Sequence, residues 1–131
     1  MGFTGFGHIG IVVSDIERSI DFYQNTLGFE KVTEFERPER HIVFLKICDG
    51  QTVELFSGGT EKREIDMSTI GFAHFCLIVD GIVELAARLK AAGVTLLSEP
   101  TVREDGSGSF NFLDPDGNRF ECMQRGANSK F

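Results

Sequence analysis

The stretch His8-Ile-Gly-Ile-Val-Val-Ser-Asp-Ile16 returns 66 residues later as His74-Phe-Cys-Leu-Ile-Val-Asp-Gly-Ile82. Both open on a histidine, continue as an apolar run and end in polar residues followed by isoleucine. The first leads on to Leu27-Gly28-Phe29, the second to Ala92-Gly93-Val94. Each copy therefore predicts a strand, an amphipathic helix and a glycine stop. A glutamate follows at a matching distance: 46 residues separate His8 from Glu54, and 47 separate His74 from Glu121. All four side chains are divalent-metal ligands by type, and all four fall in short apolar runs where an unpaired charge is costly. A duplication that places one His and one Glu in each half predicts a metal centre at the junction of the halves.

Local signals extend the repeat. Residues 7–13 predict a strand, and Ser14 followed by Glu17 predicts a capping box at the start of a helix. Ile16, Ile20, Tyr23 and Leu27 give that helix its apolar stripe, and Gly28 ends it. The second helix has Asp80 as its expected cap, a stripe of Ile82, Leu85, Ala86 and Leu89, and Gly93 as its stop. Three strands are predicted after each helix. They fall near 29–35, 41–47 and 51–57 in the first half, with Asp49-Gly50 as a hairpin turn, and near 94–98, 109–113 and 118–124 in the second. Asp114-Pro-Asp-Gly117 is a turn by composition. Residues 58–69 read as a polar linker and 99–108 as a charged, glycine-containing loop. The expected fold is α+β: two tandem βαβββ modules forming a curved, barrel-like mixed sheet around a metal site. The modules run over about 5–58 and about 70–125 of a single domain spanning 1–131.

Composition bounds the function. The chain is 41% hydrophobic and 25% charged, as soluble globular proteins are, and thirteen Phe with no Trp predict a core of phenyl rings. A net charge of −7 argues against nucleic acid, which wants a basic face. No apolar run approaches the ~20 residues needed to cross a bilayer. Three cysteines, Cys48, Cys76 and Cys122, without paired spacing and without a signal peptide, predict a reduced, cytoplasmic protein.

Strand side chains alternate between faces. His8, Gly10 and Val12 share one face of the first strand, opposite Ile9, Ile11 and Val13. His74, Cys76 and Ile78 oppose Phe75, Leu77 and Val79. Glu54 opposes Val53 and Leu55, and Glu121 opposes Phe120 and Cys122. Each of the four candidate ligands thus points away from the face that packs on a helix. Cys122 belongs to the core, Cys76 lines the same side as His74, and His41, without a counterpart in the repeat, is a strand-edge or surface residue. Two imidazoles and two carboxylates make a mixed nitrogen and oxygen set. Structural zinc sites usually contain Cys, so this set suits a catalytic centre with open positions. Ni, Co, Zn, Mn and Fe ions all suit such a set.

These motifs resemble the vicinal oxygen chelate superfamily (the glyoxalase, bleomycin resistance and dioxygenase family) over essentially the whole chain. The resemblance rests on the opening from His8 to Tyr23, on Leu27-Gly28-Phe29, and on Phe112-Leu-Asp-Pro-Asp-Gly-Asn-Arg-Phe-Glu121. By this resemblance His8, Glu54, His74 and Glu121 occupy the four metal-ligand positions of glyoxalase I. It implies a lactoylglutathione lyase-like metalloenzyme that converts 2-oxoaldehyde–thiol hemithioacetals to 2-hydroxyacyl thioesters through an enediolate. Glu121 is then the first choice of base and Glu54 the second. It also implies a homodimer acting on a small molecule. Two positions depart from the glutathione-using enzymes. Those commonly carry Arg four residues after the first His and Asn four residues after the first Glu, where this chain has Val12 and Gly58. The thiol carrier is accordingly left open, with Arg103 and Arg119 as candidate replacements. Competing readings are a metal-dependent epimerase, an iron dioxygenase, a fosfomycin-inactivating thiol transferase, and a metal-free protein that sequesters an antibiotic.

Overall fold

Apolar alternation fixes the first sheet. In the computed structural model, which describes residues 1–130, Ile9 and Ile11 of β1 (His8–Val12) are buried while His8, Gly10 and Val12 are exposed. β4 (Gln51–Phe56) runs parallel to β1 and buries Val53 and Leu55 on the same side. β3 (Arg40–Cys48) adds Val43 and Leu45, and pairs antiparallel with both β4 and β2 (Glu30–Arg37). The order is β1-β4-β3-β2. Each fully buried aliphatic side chain in this layer is worth about 1.5–3 kcal/mol. The turn expected at Asp49-Gly50 joins β3 to β4, with Gly50 at φ +76°.

The helix over this sheet starts later than its sequence suggests. Asp15, not Ser14, is the N-cap of α1 (Ile16–Asp21), accepting from the Arg18 backbone N–H at 3.0 Å. The reason lies in the strand: Val13 N–H still donates to the Phe56 carbonyl, which keeps the chain extended past the expected cap. Ser14 instead accepts from the Arg18 guanidinium. α1 passes into a π-helical turn, Phe22–Thr26, where Leu27 N–H reaches back five residues to Phe22. This widening changes the stripe. Tyr23 is fully buried as expected, but Ser19 joins it, and Ile16, Ile20 and Leu27 are only partly covered.

The second sheet repeats the plan. β5 (Phe75–Ile78) runs parallel to β8 (Arg119–Gln124), β8 antiparallel to β7 (Gly108–Leu113), and β7 antiparallel to β6 (Thr101–Val102). Phe110, Phe112, Phe120 and Cys122 are buried on one face, beneath Ile82, Ala86 and Leu89 of α2 (Ile82–Ala91). The rings of Phe112 and Phe120 stack at 5.3 Å, as the phenylalanine-rich composition anticipates. The cap expected at Asp80 is again placed too early. Gly81, at φ +66°, is the N-cap and offers no side chain. The first helical N–H, that of Ile82, donates instead to Gln124 Oε1 at 2.9 Å.

Two expectations are corrected. The strand near 94–98 is reduced to one bridge, Leu96 to Phe112, although Leu97 and Thr95 still exchange backbone hydrogen bonds with β7. Pro100 has no N–H and cannot extend that ladder. β6 lies just beyond it, within the stretch expected to be a loop. The closed, barrel-like sheet is also overturned: the strands form two separate four-stranded sheets, ordered β1-β4-β3-β2 and β5-β8-β7-β6. Each βαβββ module satisfies its pairing from its own four strands, so each sheet keeps two edges. The chain correspondingly divides into two compact units, Met1–Lys62 and a second that begins at Arg63. No helix among the described residues is long and apolar enough to cross a membrane.

Candidate metal centre

In the first unit the parallel register sets Gly10 opposite Glu54, with His8 two residues earlier on the same face of β1. His8 Nε2 lies 3.1 Å from Glu54 Oε2 across that diagonal. In the second unit Cys76 lies opposite Glu121, with His74 two residues earlier, immediately before β5. His74 Nε2 lies 3.1 Å from Glu121 Oε2. The two modules therefore reproduce the pair at the same distance, because they reproduce the same parallel register. The glutamates are the more sheltered members, 15% and 26% exposed, against 50% and 35% for the histidines.

The donor spacing fits a shared ion. Two donors each about 2.1 Å from one metal, at roughly a right angle, are roughly 3 Å apart. Each pair thus has the form of a two-toothed ligand, with one nitrogen and one oxygen. The structure brings His8 to Glu54 and His74 to Glu121. Among the described residues it gathers no cluster of three or more His, Cys, Asp or Glu side chains able to hold a metal. His41 stands apart: its Nε2 lies 2.8 Å from Glu34 Oε2, and that carboxylate also accepts from Lys31. Lys31 first, and then His41, hold the Glu34 carboxyl below its usual range.

The surroundings of the two pairs differ in polarity. On the His8 side, register places Phe44 across from Glu54, and Ile42 across from Phe56. The Phe44 ring meets the His8 imidazole edge-on at 5.8 Å. Val12, half exposed, shares this face, and so does Phe35, paired with Ile42. This is an apolar wall. On the His74 side the corresponding positions are polar. Asn111 lies across from Glu121, and Arg119 Nε donates to Asn111 Oδ1 at 2.9 Å. A depression of about 360 Å³ extends from Glu121 past Met123 and Ser109 to Arg103 and Lys130.

Cys76 is the residue whose role the repeat pattern did not reveal. It is free, and its thiol is pushed up by burial first, then by the charge of Glu121 and a hydrogen bond to it. Strand alternation alone puts Cys76 on the ligand face, but only the register with β8 makes Glu121 its neighbour. Cys122, as expected, is core: it is 2% exposed, and burial pushes its thiol up to about 12.

The Glyoxalase/Bleomycin resistance protein/Dioxygenase superfamily matches residues 5–122, and the chain belongs to this family. It is 30% identical over 126 residues to a probable chloroplastic lactoylglutathione lyase of Arabidopsis thaliana, covering 91% of this chain but only 35% of that protein's length. It is 31% identical over 124 residues to the lactoylglutathione lyase of Haemophilus influenzae, covering 89% of this chain and 90% of the relative. Among solved structures, the glyoxalase family protein from Enterococcus faecalis superposes with a TM-score of 0.80 at 29% identity, over 94% of this chain and 99% of that one.

Proposed function

We propose that the protein is a metal-dependent isomerase of the glyoxalase I type, acting on hemithioacetals of 2-oxoaldehydes. The observation that carries this is the duplicated His–Glu pair, held at 3.1 Å in both modules by the same parallel register. Membership of the superfamily and the similarity to lactoylglutathione lyases support the reading. His8, Glu54, His74 and Glu121 would hold one divalent ion, with Ni, Co or Zn the best match to two nitrogens and two oxygens. A bound ion supplies Lewis acidity at two adjacent substrate oxygens. The chain's own residues do the proton work. Glu121, with Glu54 as the second choice, removes the proton from the carbon that carries sulfur, and the same carboxylate or its partner returns one to the neighbouring carbon. The apolar wall of Phe44, Phe56 and Ile42 excludes water from the His8 side and accepts the aldehyde-derived side chain.

We further propose a homodimer in which His8 and Glu54 of one protomer complete a site with His74 and Glu121 of the other. Each module carries one His–Glu pair, so a complete set of four ligands needs both kinds of module. Mass measurement in solution tests it, and a strict monomer rules out sharing.

The central test combines metal analysis of the purified protein with isomerisation of methylglyoxal hemithioacetals made from several thiols. Stoichiometric metal and chelator-sensitive turnover are expected. A protein that takes up no metal, and whose ligand binding is unaffected by chelation, belongs instead with the drug-sequestering members of the superfamily.

A further inference from the structure

The chain leaves β8 at Gln124 and packs at once against the turn between β6 and β7. Gly126 is where the two meet. A Cβ there would lie 2.5 Å from the Asp105 carbonyl oxygen and 2.5 Å from the Ser107 nitrogen, both backbone atoms that cannot swing aside. Its φ is not in the left-handed region, so close approach rather than backbone conformation calls for glycine. The next residue makes the joint: the Ala127 N–H donates to the Asp105 carbonyl at 2.9 Å. Asp105 is itself fixed. Its carboxylate accepts from the Ser107 hydroxyl at 2.6 Å and from the Ser107 N–H at 3.0 Å. Ser107 first, and the Asn128 backbone after it, hold that carboxyl below its usual range.

Beyond the joint the segment closes on itself. Gly126 N–H donates to Ser129 Oγ at 2.7 Å, and Ser129 N–H to the Gly126 carbonyl at 3.2 Å. Residues 126–130 are thus a preformed turn anchored at Asp105. This turn borders the proposed chemistry. The depression of about 360 Å³ has Glu121 and Met123 of β8 on one side and Asn128, Ser129 and Lys130 on another. Residues 127–130 are themselves exposed. Apolar burial does little to hold them, so the contact with Asp105 keeps this wall in place and sets how easily it opens.

We propose that residues 126–130 form a strap, latched to Asp105 through Gly126 and Ala127, that walls the depression beside Glu121 and limits the size of the substrate group entering it. This rests on the isomerase reading above and adds a size limit to it: hemithioacetals of small thiols reach Glu121 with the strap docked, and bulky ones only when the latch opens. Asp105 and Gly126 are positioning residues and touch no reacting atom.

Two variants of the full-length, metal-loaded protein open the latch in different ways. Gly126→Ala forces a Cβ into the Asp105 contact, and Ala127→Pro removes the donating N–H. Thermal melting and metal content confirm that they fold and load. Methylglyoxal hemithioacetals of 2-mercaptoethanol and of diphenylmethanethiol, both uncharged, differ chiefly in bulk. The wild type is expected to favour the small adduct in kcat/KM. Each variant should narrow that preference by about 3- to 10-fold, the range of one lost backbone hydrogen bond. Hydrogen exchange at the Ala127 amide should quicken in Gly126→Ala.

A second readout needs no turnover. Met123 lines the depression, whereas Met67 is 82% exposed and serves as the internal reference. Hydrogen peroxide and the bulkier tert-butyl hydroperoxide both convert methionine to its sulfoxide, and peptide mapping reads each site. In wild-type protein Met123, relative to Met67, should be shielded more from the bulky oxidant than from the small one, and both variants should remove that difference. If neither adduct is turned over, the isomerase reading fails, while size-dependent shielding of Met123 that both variants abolish still supports the strap. Equal gains for small and bulky probes overturn the proposal. So does unchanged Ala127 exchange in Gly126→Ala, or a wild type in which Met123 is oxidised without regard to oxidant size. Should both variants fail to fold, the wild-type oxidation pattern alone decides.

Discussion

Gly10 and Cys76 occupy the same place in the two modules, each in register with the glutamate of its His–Glu pair. A Cβ at Gly10 would lie 3.1 Å from the Phe56 ring and 3.9 Å from Glu54 Oε2. At Cys76 that side chain exists, and burial first, then the neighbouring Glu121, pushes its thiol up. The two carboxylates, equivalent by repeat, are thus differently held. Glu54 lies in register with Gly10 and Phe44, whereas Glu121 lies in register with Cys76 and Asn111.

This asymmetry bears on the choice of base. Glu121→Gln is expected to lower kcat by about 10²- to 10⁴-fold, the usual contribution of a positioned general base, with a smaller loss for Glu54→Gln. Steady-state kinetics on metal-reconstituted variants checks it. Full turnover in Glu121→Gln would remove that residue from the proton path.

Filling the space at Gly10 should disturb the first pair without touching the second. Gly10→Val places branched carbon against the Phe56 ring, where tight packing already leaves only 3.1 Å. A loss of about 1–3 kcal/mol in unfolding free energy is expected, with weaker metal uptake. Denaturant melts and metal titration measure both, and an unchanged midpoint would show that Phe56 swings aside at little cost.

Thiol chemistry separates the three cysteines. Cys48 is exposed, Cys76 is exposed but carries a raised thiol, and Cys122 is buried with its thiol pushed up to about 12. Since the thiolate is the reactive form, a raised value lowers the reactive fraction at any pH below it. Native protein at pH 8 should react quickly at Cys48, slowly at Cys76, and at Cys122 only on unfolding. Peptide mapping after timed alkylation reads the order, and rapid labelling of Cys122 in the native state would contradict it.

Gln124 ties two elements of the second unit together. Its Oε1 accepts from the Ile82 N–H at the start of α2, and its Nε2 donates to the Gly106 carbonyl in the turn between β6 and β7. Gln124→Ala leaves both backbone groups to find other partners and should cost about 1–3 kcal/mol. Thermal melting, with hydrogen exchange localised to the first turn of α2, checks the size and the place. Unaltered exchange there would show that water caps the helix equally well.

The sequence by itself determined the module. Period-two alternation in the strands, a helical stripe, glycine stops and the constant spacing of His and Glu are local or repeat properties, and they placed β1, α2, the Asp49-Gly50 turn and the strand faces that carry His8, Glu54 and Glu121. It misjudged the helix starts at Ser14 and Asp80, because strand pairing at Val13 and the side chain of Gln124, 42 residues from Ile82, supply what local capping rules assign to neighbours. It also predicted one closed sheet where two separate ones form. Sheet closure depends on which strand edges meet, and edge pairing leaves no periodic trace in the chain.

The His–Glu distance, the thiol beside Glu121 and the brace between Arg119 and Asn111 were likewise decided only by tertiary structure. Each depends on the register between strands far apart in sequence. A shift of one residue would turn every one of those side chains to the opposite face.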